Sequence, residues 1–470
     1  MRFVIFGTGK YFSNRKAQLF QLDENAEIVC YIDNNAKEDT LFGGVKVQKP
    51  CQLENIVYDK ILLMSRSYLE MKAQLIALGY SEKAIWTWEQ FLCEMSHGKF
   101  EFFCKETDVQ KKDGRILIIS IDLGYNGGSI AAVHAVMALA DRFEVVLAAP
   151  KGDKKFIREM KEAGINILLS PALPYLGEEE IYLMKKFDVI MVNVFQMLPV
   201  VCQVSRLRPT FWWIHEPSDM YADVLKRFHF LLGQQSFHNV NIKAVSNVPK
   251  ENFNTYFPNR IQDTLAYGIP DRFSEDCDER EKKTFVFAVI GGVVPRKAQD
   301  VFIKAADLIS KRRMPEIDIE YWLIGGIFEN EYGNLIYEMS ERNNQIKIKG
   351  KLTREEIAKA YQEIDVVVCP SYEDPLPIVM TEGMMYKKVC IAADVIGTVE
   401  YIQDKVNGLI FKAGDETDLA DKMQWVIAHP DKLKKIAENA RKTYKENFTM
   451  EKFSQRLNEA INETITLYKE

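Results

Sequence analysis

The sequence has no CxxC pair, and its eight cysteines, Cys30, Cys51, Cys93, Cys104, Cys202, Cys277, Cys369 and Cys390, follow no regular spacing along 470 residues. A disulfide framework is therefore not indicated, and the cysteines read as reduced thiols of a cytoplasmic chain. Histidine is scarce, at six residues, and His134, His229, His238 and His429 show no metal-ligand spacing. No long apolar run exists. The run at the start, Phe3 to Phe6, is too short for the apolar core of a secretory signal. The most apolar longer stretch, from Val189, is broken by Asn193, Gln196 and Pro199 and falls short of the ~20 residues of a spanning helix. Contact with the inner face of a membrane stays open. An excess of positive charge is also missing: 61 lysines and arginines face 67 acids, for a net charge of -6, which gives no overall attraction to nucleic acid. Low-complexity tracts and short-period repeats are absent.

What is present is a soluble globular composition, 47% hydrophobic and 27% charged with a mean hydropathy of -0.19. At roughly 150 residues per domain the length corresponds to about three compact units. β-branched or aromatic runs lead into glycine turns and then amphipathic stretches of helical length, the pattern of βα units on parallel sheets. It restarts three times. The expected organisation is a small Rossmann-like unit over 1–98, a polar linker over 99–114, two further units over 115–272 and 273–450, and a closing amphipathic helix over 451–470 carrying Phe453, Leu457, Ile461 and Leu467. Ligands of such sheets collect at the carboxyl ends of the strands, so the chemistry is expected in the loops that follow them.

The most informative of these loops is CPSYEDPLPIVMTEGMM, residues 369–385. A strand ends near Ser371, Glu373 and Asp374 follow, and Pro377 is placed to start a helix through Met385. N–H groups of Ile378 and Val379 at such a helix start suit a phosphate. Two carboxylates beside it, Asp374 and Glu382, suggest a ligand with both phosphates and sugar hydroxyls; a capped surface helix with solvated acids explains the same spacing. In FAVIGGVVPRKAQDVF a strand runs into Gly291 and Gly292, and Arg296 and Lys297 stand just before a helix. Cations there oppose the helix dipole, which an anionic ligand between them would explain; the alternative is a solvated basic turn.

These segments resemble the retaining glycosyltransferases of family 4, which have the GT-B fold of two facing Rossmann-like domains. The resemblance covers residues 115 to about 450. PSYEDPLPIVMTEGM places Asp374 and Glu382 at the two acids of the family phrase PS-x-x-E-G-F-P-x-x-x-x-E-A-M, with aspartate for the usual glutamate at the first. GGVVPRK places Lys297 at the family lysine; Gly292 stands where an arginine is common, leaving Arg296 as the second cation. Gly350 of IKIKG, the phrase GTVEYIQDKVNGLIF, YGIPDRF, the loop NGGS at Asn126–Ser129 and the histidine of WWIHE also match. The resemblance implies an acceptor-side domain over 115–272 and a nucleotide-sugar domain over 273–450. It implies transfer of a sugar with retention from a UDP- or GDP-sugar to a glycan, lipid-linked or protein acceptor, in surface polysaccharide or glycoconjugate synthesis, with no metal or other cofactor. Arg296, Lys297, Ile378 and Val379 would face the diphosphate, Glu382 the ribose and Asp374 the donor sugar. Gly127, Gly128 and Gly350 would approach the donor, and His215 would donate to a sugar hydroxyl. Without that context His215 reads first as a packed histidine, and Trp212 and Trp213 read as core. The triplet Asp276–Asp278 has the letters of a metal-binding DxD but lies in a charged linker and is set aside.

The first unit opens with VIFGTGKYF, and Asp33 ends its second strand, as in a dinucleotide fingerprint. The third glycine is replaced by Phe12, which would crowd the helix meant to hold a pyrophosphate. A structural, oligomer-forming or partner-docking role is therefore expected beside an NAD-dependent sugar-modifying one, and the polar linker suggests a unit that sits apart from the catalytic cleft. A non-catalytic pseudo-transferase that binds a partner is the third reading.

Overall fold

The computed structural model describes residues 1–37, 40–53, 56–104, 112–232, 237, 239–274, 284–312 and 317–469. The Asp276–Asp278 triplet, His238, the side chain of His229 and residues 105–111 of the expected linker lie outside them.

Three α/β units follow one another, as the repeated pattern requires. In the first, Arg2–Phe6, Glu27–Ile32 and Lys60–Leu63 form the parallel centre of a six-stranded sheet, flanked by Val45–Gln48 and Ile85–Thr87, with Leu41–Phe42 antiparallel at the edge. The helix after its glycine loop is only Lys10–Ser13, four residues long. Phe12 leaves that turn to pack in the core, fully buried with its ring 5.5 Å edge-on from Tyr31.

The second unit carries a seven-stranded sheet in the order Val240–Ala244, Thr210–Ile214, Val189–Asn193, Arg115–Ile119, Glu144–Ala149, Asn166–Leu169, Glu101–Phe103. The last strand lies within the stretch read as linker and pairs antiparallel with Asn166–Leu169. The third unit has six parallel strands, with Thr284–Ile290 central between Asp318–Ile324 and Val366–Cys369, flanked by Ile346–Gly350, Val389–Ala393 and Leu409–Phe411. Apart from the alternating, half-exposed edge strand Ile346–Gly350, these strands are largely buried and read as near-continuous apolar runs because helices cover both faces.

The helix Met450–Lys469 leaves the third unit and closes over the second. Phe453, Leu457, Ala460, Ile461 and Thr464 recur at helical spacing and are buried there. Phe453 stacks 5.4 Å from Trp213, and Ser454 Oγ donates to Ala138 O at 2.6 Å.

The first unit does not sit apart. Cys93 Sγ donates to Pro171 O at 3.1 Å, and the fully buried Glu180 of the second unit meets His97 Nδ1 at 2.9 Å while accepting from Gly98 N at 2.9 Å. Burial pushes the Glu180 carboxyl up, and the bonds from Gly98, His97 and Gly177 outweigh it and hold the group below the usual range. A buried carboxylate satisfied mainly from the neighbouring unit ties the two together, so the expectation of an independent first unit is corrected. Among the described residues no helix is long and apolar enough to cross a membrane.

Candidate active site

The helix Ile378–Met385 begins after Pro377, whose missing N–H costs nothing at a helix start. Its preceding loop is held from three sides. Tyr372 N donates to Arg296 O at 2.9 Å, Arg296 Nη1 donates to Glu373 O at 2.6 Å, and Lys297 Nζ pairs with Asp374 Oδ2. The cation loop and the acidic loop, far apart in sequence, are thus one construction. Burial pushes the Lys297 ammonium down, and the Asp374 carboxylate more than reverses this, so the side chain stays charged. Ala298, the next residue, has φ 52°, a left-handed conformation that costs a non-glycine residue energy and that the flanking bonds impose.

Asp374 is also fixed through its backbone: its carbonyl accepts from Gly397 N at 2.9 Å. A Cβ on Gly397 would lie 1.7 Å from Pro375 O, so glycine alone permits that approach. Ser246 of the second unit donates its hydroxyl to the same Pro375 carbonyl, and Tyr267 Oη donates to Leu376 O at 3.0 Å.

Glu382 projects from the second turn of the helix. Tyr361 Oη donates to its Oε2 at 3.0 Å, and the Tyr361 ring stacks 4.6 Å from Tyr386. Burial pushes the Glu382 carboxyl up, countered by the Tyr361 bond and the charges of Arg272 and Arg354. The charge of Arg354 is felt in the second unit as well, at Tyr125 and at His134, whose pKa is pushed down to about 4 chiefly by burial. His134 stands on the helix Gly127–Leu139 of the second unit.

That helix supplies the opposite wall. Asn126 caps it by accepting from Ser129 N at 2.9 Å, and Asn193 Nδ2 donates to Gly128 O at 3.0 Å, fixing the loop. A Cβ on Gly127 would meet nothing within 4 Å, so its own fold does not demand glycine there. Val194, beside Gly128, adopts φ 77° and ψ 149°, a region nearly confined to glycine. Strained residues thus stand in both catalytic units, Val194 next to the glycine loop and Ala298 next to Lys297.

At the end of the strand Thr210–Ile214, His215 Nε2 is buried without a hydrogen-bond partner among the described residues, and burial pushes the imidazole pKa down to about 3. It is a neutral donor or acceptor awaiting a partner. Glu216 beside it is 4% exposed; burial raises its pKa to about 7 although it accepts from His215 N at 2.9 Å. Trp212 and Trp213 are core. Gly350 ends its strand with φ 68°, and its carbonyl accepts from Gly325 N at 2.8 Å.

The structure thus joins Arg296 and Lys297 to the Glu373–Asp374 loop that leads into the helix starting at Ile378 and Val379. Glu382 lies one turn further along the same helix, while Gly127, Gly128 and His215 stand in the second unit. Motif reading missed the contacts that join the two units. Glu373 Oε1 accepts from Ser218 N at 2.8 Å and from Asn252 Nδ2 at 2.6 Å, and its Oε2 accepts from the Ser218 hydroxyl at 2.6 Å. Glu373 occupies a variable position of the motif, and its partners lie more than a hundred residues away, so only its place beside Asp374 signalled it. Arg272, Arg354 and Tyr361 were missed for the same reason. In the first unit a cavity of about 710 Å³ lies over the strand ends, lined by Gly7, Asp33 and Arg66 among others. Gly7 has φ 102°, and a Cβ there would sit 2.9 Å from Met64 O, so backbone packing accounts for this glycine.

Residues 272–443 match the family described as "Glycosyl transferases group 1", and residues 1–86 match "C2185-like, N-terminal". Among solved structures, the Anabaena protein HepE crystallised with UDP-glucose superposes with a TM-score of 0.63 over 74% of this chain and all of that one, at 18% identity. The fold is GT-B. A glycosyltransferase structure from Rickettsia africae gives a TM-score of 0.60 over 75% of this chain and 98% of its own, at 16% identity. An uncharacterized glycosyltransferase of Methanocaldococcus jannaschii is 28% identical over 35% of this chain and 44% of its own length. A D-inositol 3-phosphate glycosyltransferase of Paenarthrobacter aurescens is 26% identical over 30% of this chain and 35% of its own. Less than half the length of either curated relative is spanned. The GT-B part of the chain is preceded by the small α/β unit.

Proposed function

We propose that the chain is a retaining glycosyltransferase of family 4 that moves a sugar from a nucleotide diphosphate-sugar to a glycan, glycolipid or glycoprotein acceptor. The observation that carries this is the joining of the Arg296–Lys297 loop to the Asp374 loop at the start of the Ile378 helix, inside a GT-B fold. HepE, with the same fold, is described in complex with UDP-glucose.

Cleaving the sugar–diphosphate bond builds negative charge on the leaving oxygens and positive character on the sugar. Arg296, Lys297 and the N–H groups of Ile378 and Val379 are preorganised for the first, before any reaction begins. Lys297 keeps its charge through Asp374, and when the diphosphate arrives the ammonium is shared between the two anions. Asp374 then presents its other oxygen to donor-sugar hydroxyls. Glu382, oriented by Tyr361, accepts from the ribose hydroxyls. Gly127, without Cβ, lets the second unit's backbone approach the donor. His215, neutral and unpartnered, bonds a sugar hydroxyl. Retention follows from attack on the face the diphosphate leaves, the departing phosphate taking the acceptor proton, so no carboxylate nucleophile is required. Two cations and a helix start supply the charge that a metal would otherwise bring.

The test is calorimetric binding and hydrolysis of UDP-glucose and GDP-mannose by the full chain, with and without chelator. Binding of one of them and hydrolysis insensitive to chelator is the expected result; no affinity for either overturns the reading.

A further inference from the structure

A cavity of about 800 Å³ lies between the first and second units. Its floor is formed by the carboxyl ends of four strands of the second sheet, through Ile121, Pro150, Pro171 and Gln196. Its roof is formed by the first unit, through Tyr68, Leu69 and Trp88. Gln196 is three residues beyond Asn193, the residue that fixes Gly128, and Asp219, also in the lining, directly follows Ser218, which clasps Glu373 beside Asp374. The cavity thus adjoins the catalytic cleft through two loops that already serve it.

The lining tells what would fit. The lining includes the aromatic side chains of Tyr68, Trp88 and Tyr175 and the amides of Gln18, Gln90 and Gln196. Gln196 Oε1 is buried without a partner among the described residues. The lining carries four cations, Arg15, Lys72, Lys151 and Arg227, against the acids Glu89, Asp219 and Asp223, and Lys72 is also paired with Glu82 at 2.6 Å, so the wall has no surplus charge to select an anion. Aromatic side chains together with uncharged amides suit pyranose rings, which stack on one face and hydrogen-bond at the edge. An acyl chain would have to lie against those polar groups unpaired. The volume falls within the ~300–1,000 Å³ of sites for drug-sized ligands, room for more than one ring.

We propose that residues 1–98 complete the acceptor site, holding a neutral oligosaccharide between Tyr68 and Leu69 of the first unit and the strand ends of the second. The inference rests on the glycosyltransferase reading for the word acceptor, and on the cavity alone for the saccharide.

The experiment places the full-length protein and its Tyr68→Ala, Tyr68→Phe and Leu69→Trp variants on a printed array of neutral and acidic oligosaccharides, each variant first checked for an unchanged melting temperature. Binding of UDP-glucose and of GDP-mannose by the parent is measured separately. The expected result is binding of neutral oligosaccharides by the parent, weakened at least about tenfold by Tyr68→Ala and by the filling Leu69→Trp, and kept by Tyr68→Phe, which preserves the ring face. A parent that binds no saccharide, variants that bind as the parent does, or partition into phosphatidylglycerol vesicles lost with the same substitutions overturns the proposal. Variant-sensitive saccharide binding by a parent with no affinity for UDP-glucose or GDP-mannose supports the roofed site and removes the donor reading instead.

Discussion

Glu373 and Ser218 clasp the second and third units together: the Ser218 N–H and hydroxyl each donate to one carboxylate oxygen, at 2.8 and 2.6 Å. Asp374, the next residue, is thereby referenced to the second unit as well as to Lys297. Charge-assisted bonds of this kind contribute about 1.5–3 kcal/mol where water is kept away, and less at this partly exposed position. Glu373→Ala is expected to lower kcat/KM for donor hydrolysis about tenfold with little change in melting temperature, because the loss falls on closure rather than on a core. Steady-state kinetics beside calorimetric melting checks it; unchanged kinetics would show the clasp to be incidental.

The Lys297–Asp374 pair supports a second prediction. Asp374 is 7% exposed, so Lys297→Ala strands a carboxylate in a poorly solvated place, at a cost on the order of 3 kcal/mol. Adding Asp374→Asn removes that charge and is expected to recover most of the stability while UDP affinity stays weak. Stability and UDP affinity are therefore separable in a double-mutant cycle, read by urea unfolding and calorimetry. Recovery of UDP binding in the double variant would show that Lys297 acts only on the fold.

How much of this arrangement the sequence revealed depended on length and distance. The strands of the third unit were legible because FVFAVI and VVVC are continuous apolar runs between turn residues and IEYWLI is broken only by Glu320. Leu41–Phe42, Val45–Gln48 and Glu101–Phe103 were not, being two to four residues long, too short to establish a period. The helix after Pro377 was legible, since a proline at its entry and a preceding acidic loop are local signals. The pairing of Lys297 with Asp374 spans 77 residues and had no local signal. Docking of the first unit escaped notice because it hangs on Cys93, His97 and Glu180, single residues whose partners lie across the interface.

Glu382→Gln keeps the size and the Tyr361 bond but removes the charge. Loss of one charged hydrogen bond to donor hydroxyls corresponds to about 10- to 100-fold in kcat/KM. Tyr361→Phe should show a smaller fall, because the carboxylate remains and only its orientation loosens. Equal activity of Glu382→Gln and parent across several nucleotide-sugars would remove the residue from the donor site.

The last prediction concerns pH. Burial holds the Glu216 carboxyl at a pKa of about 7, against 4.5 when exposed, so the folded protein keeps a proton that the unfolded chain has released. Between those values the native state binds more protons, so this group's contribution to stability is full below pH 4.5 and is lost as pH rises through 7. His215 acts in the opposite sense. Its pKa of about 3 against 6.5 means that its stabilising neutral form is complete above 6.5 and its contribution is lost as pH falls towards 3. The two slopes oppose each other between 4.5 and 6.5, so the parent's own profile hides both. Glu216→Gln removes one of them: an amide cannot ionise, and it fills the same space. The stability of the parent relative to this variant is therefore expected to fall as pH rises from 4.5 to 7, by about 3 kcal/mol as an upper bound, and to level off beyond. Urea unfolding of both proteins at half-unit pH steps measures it. A difference that stays flat across the window would mean that Glu216 is ionised in the folded protein and that its contact with the His215 N–H outweighs its burial.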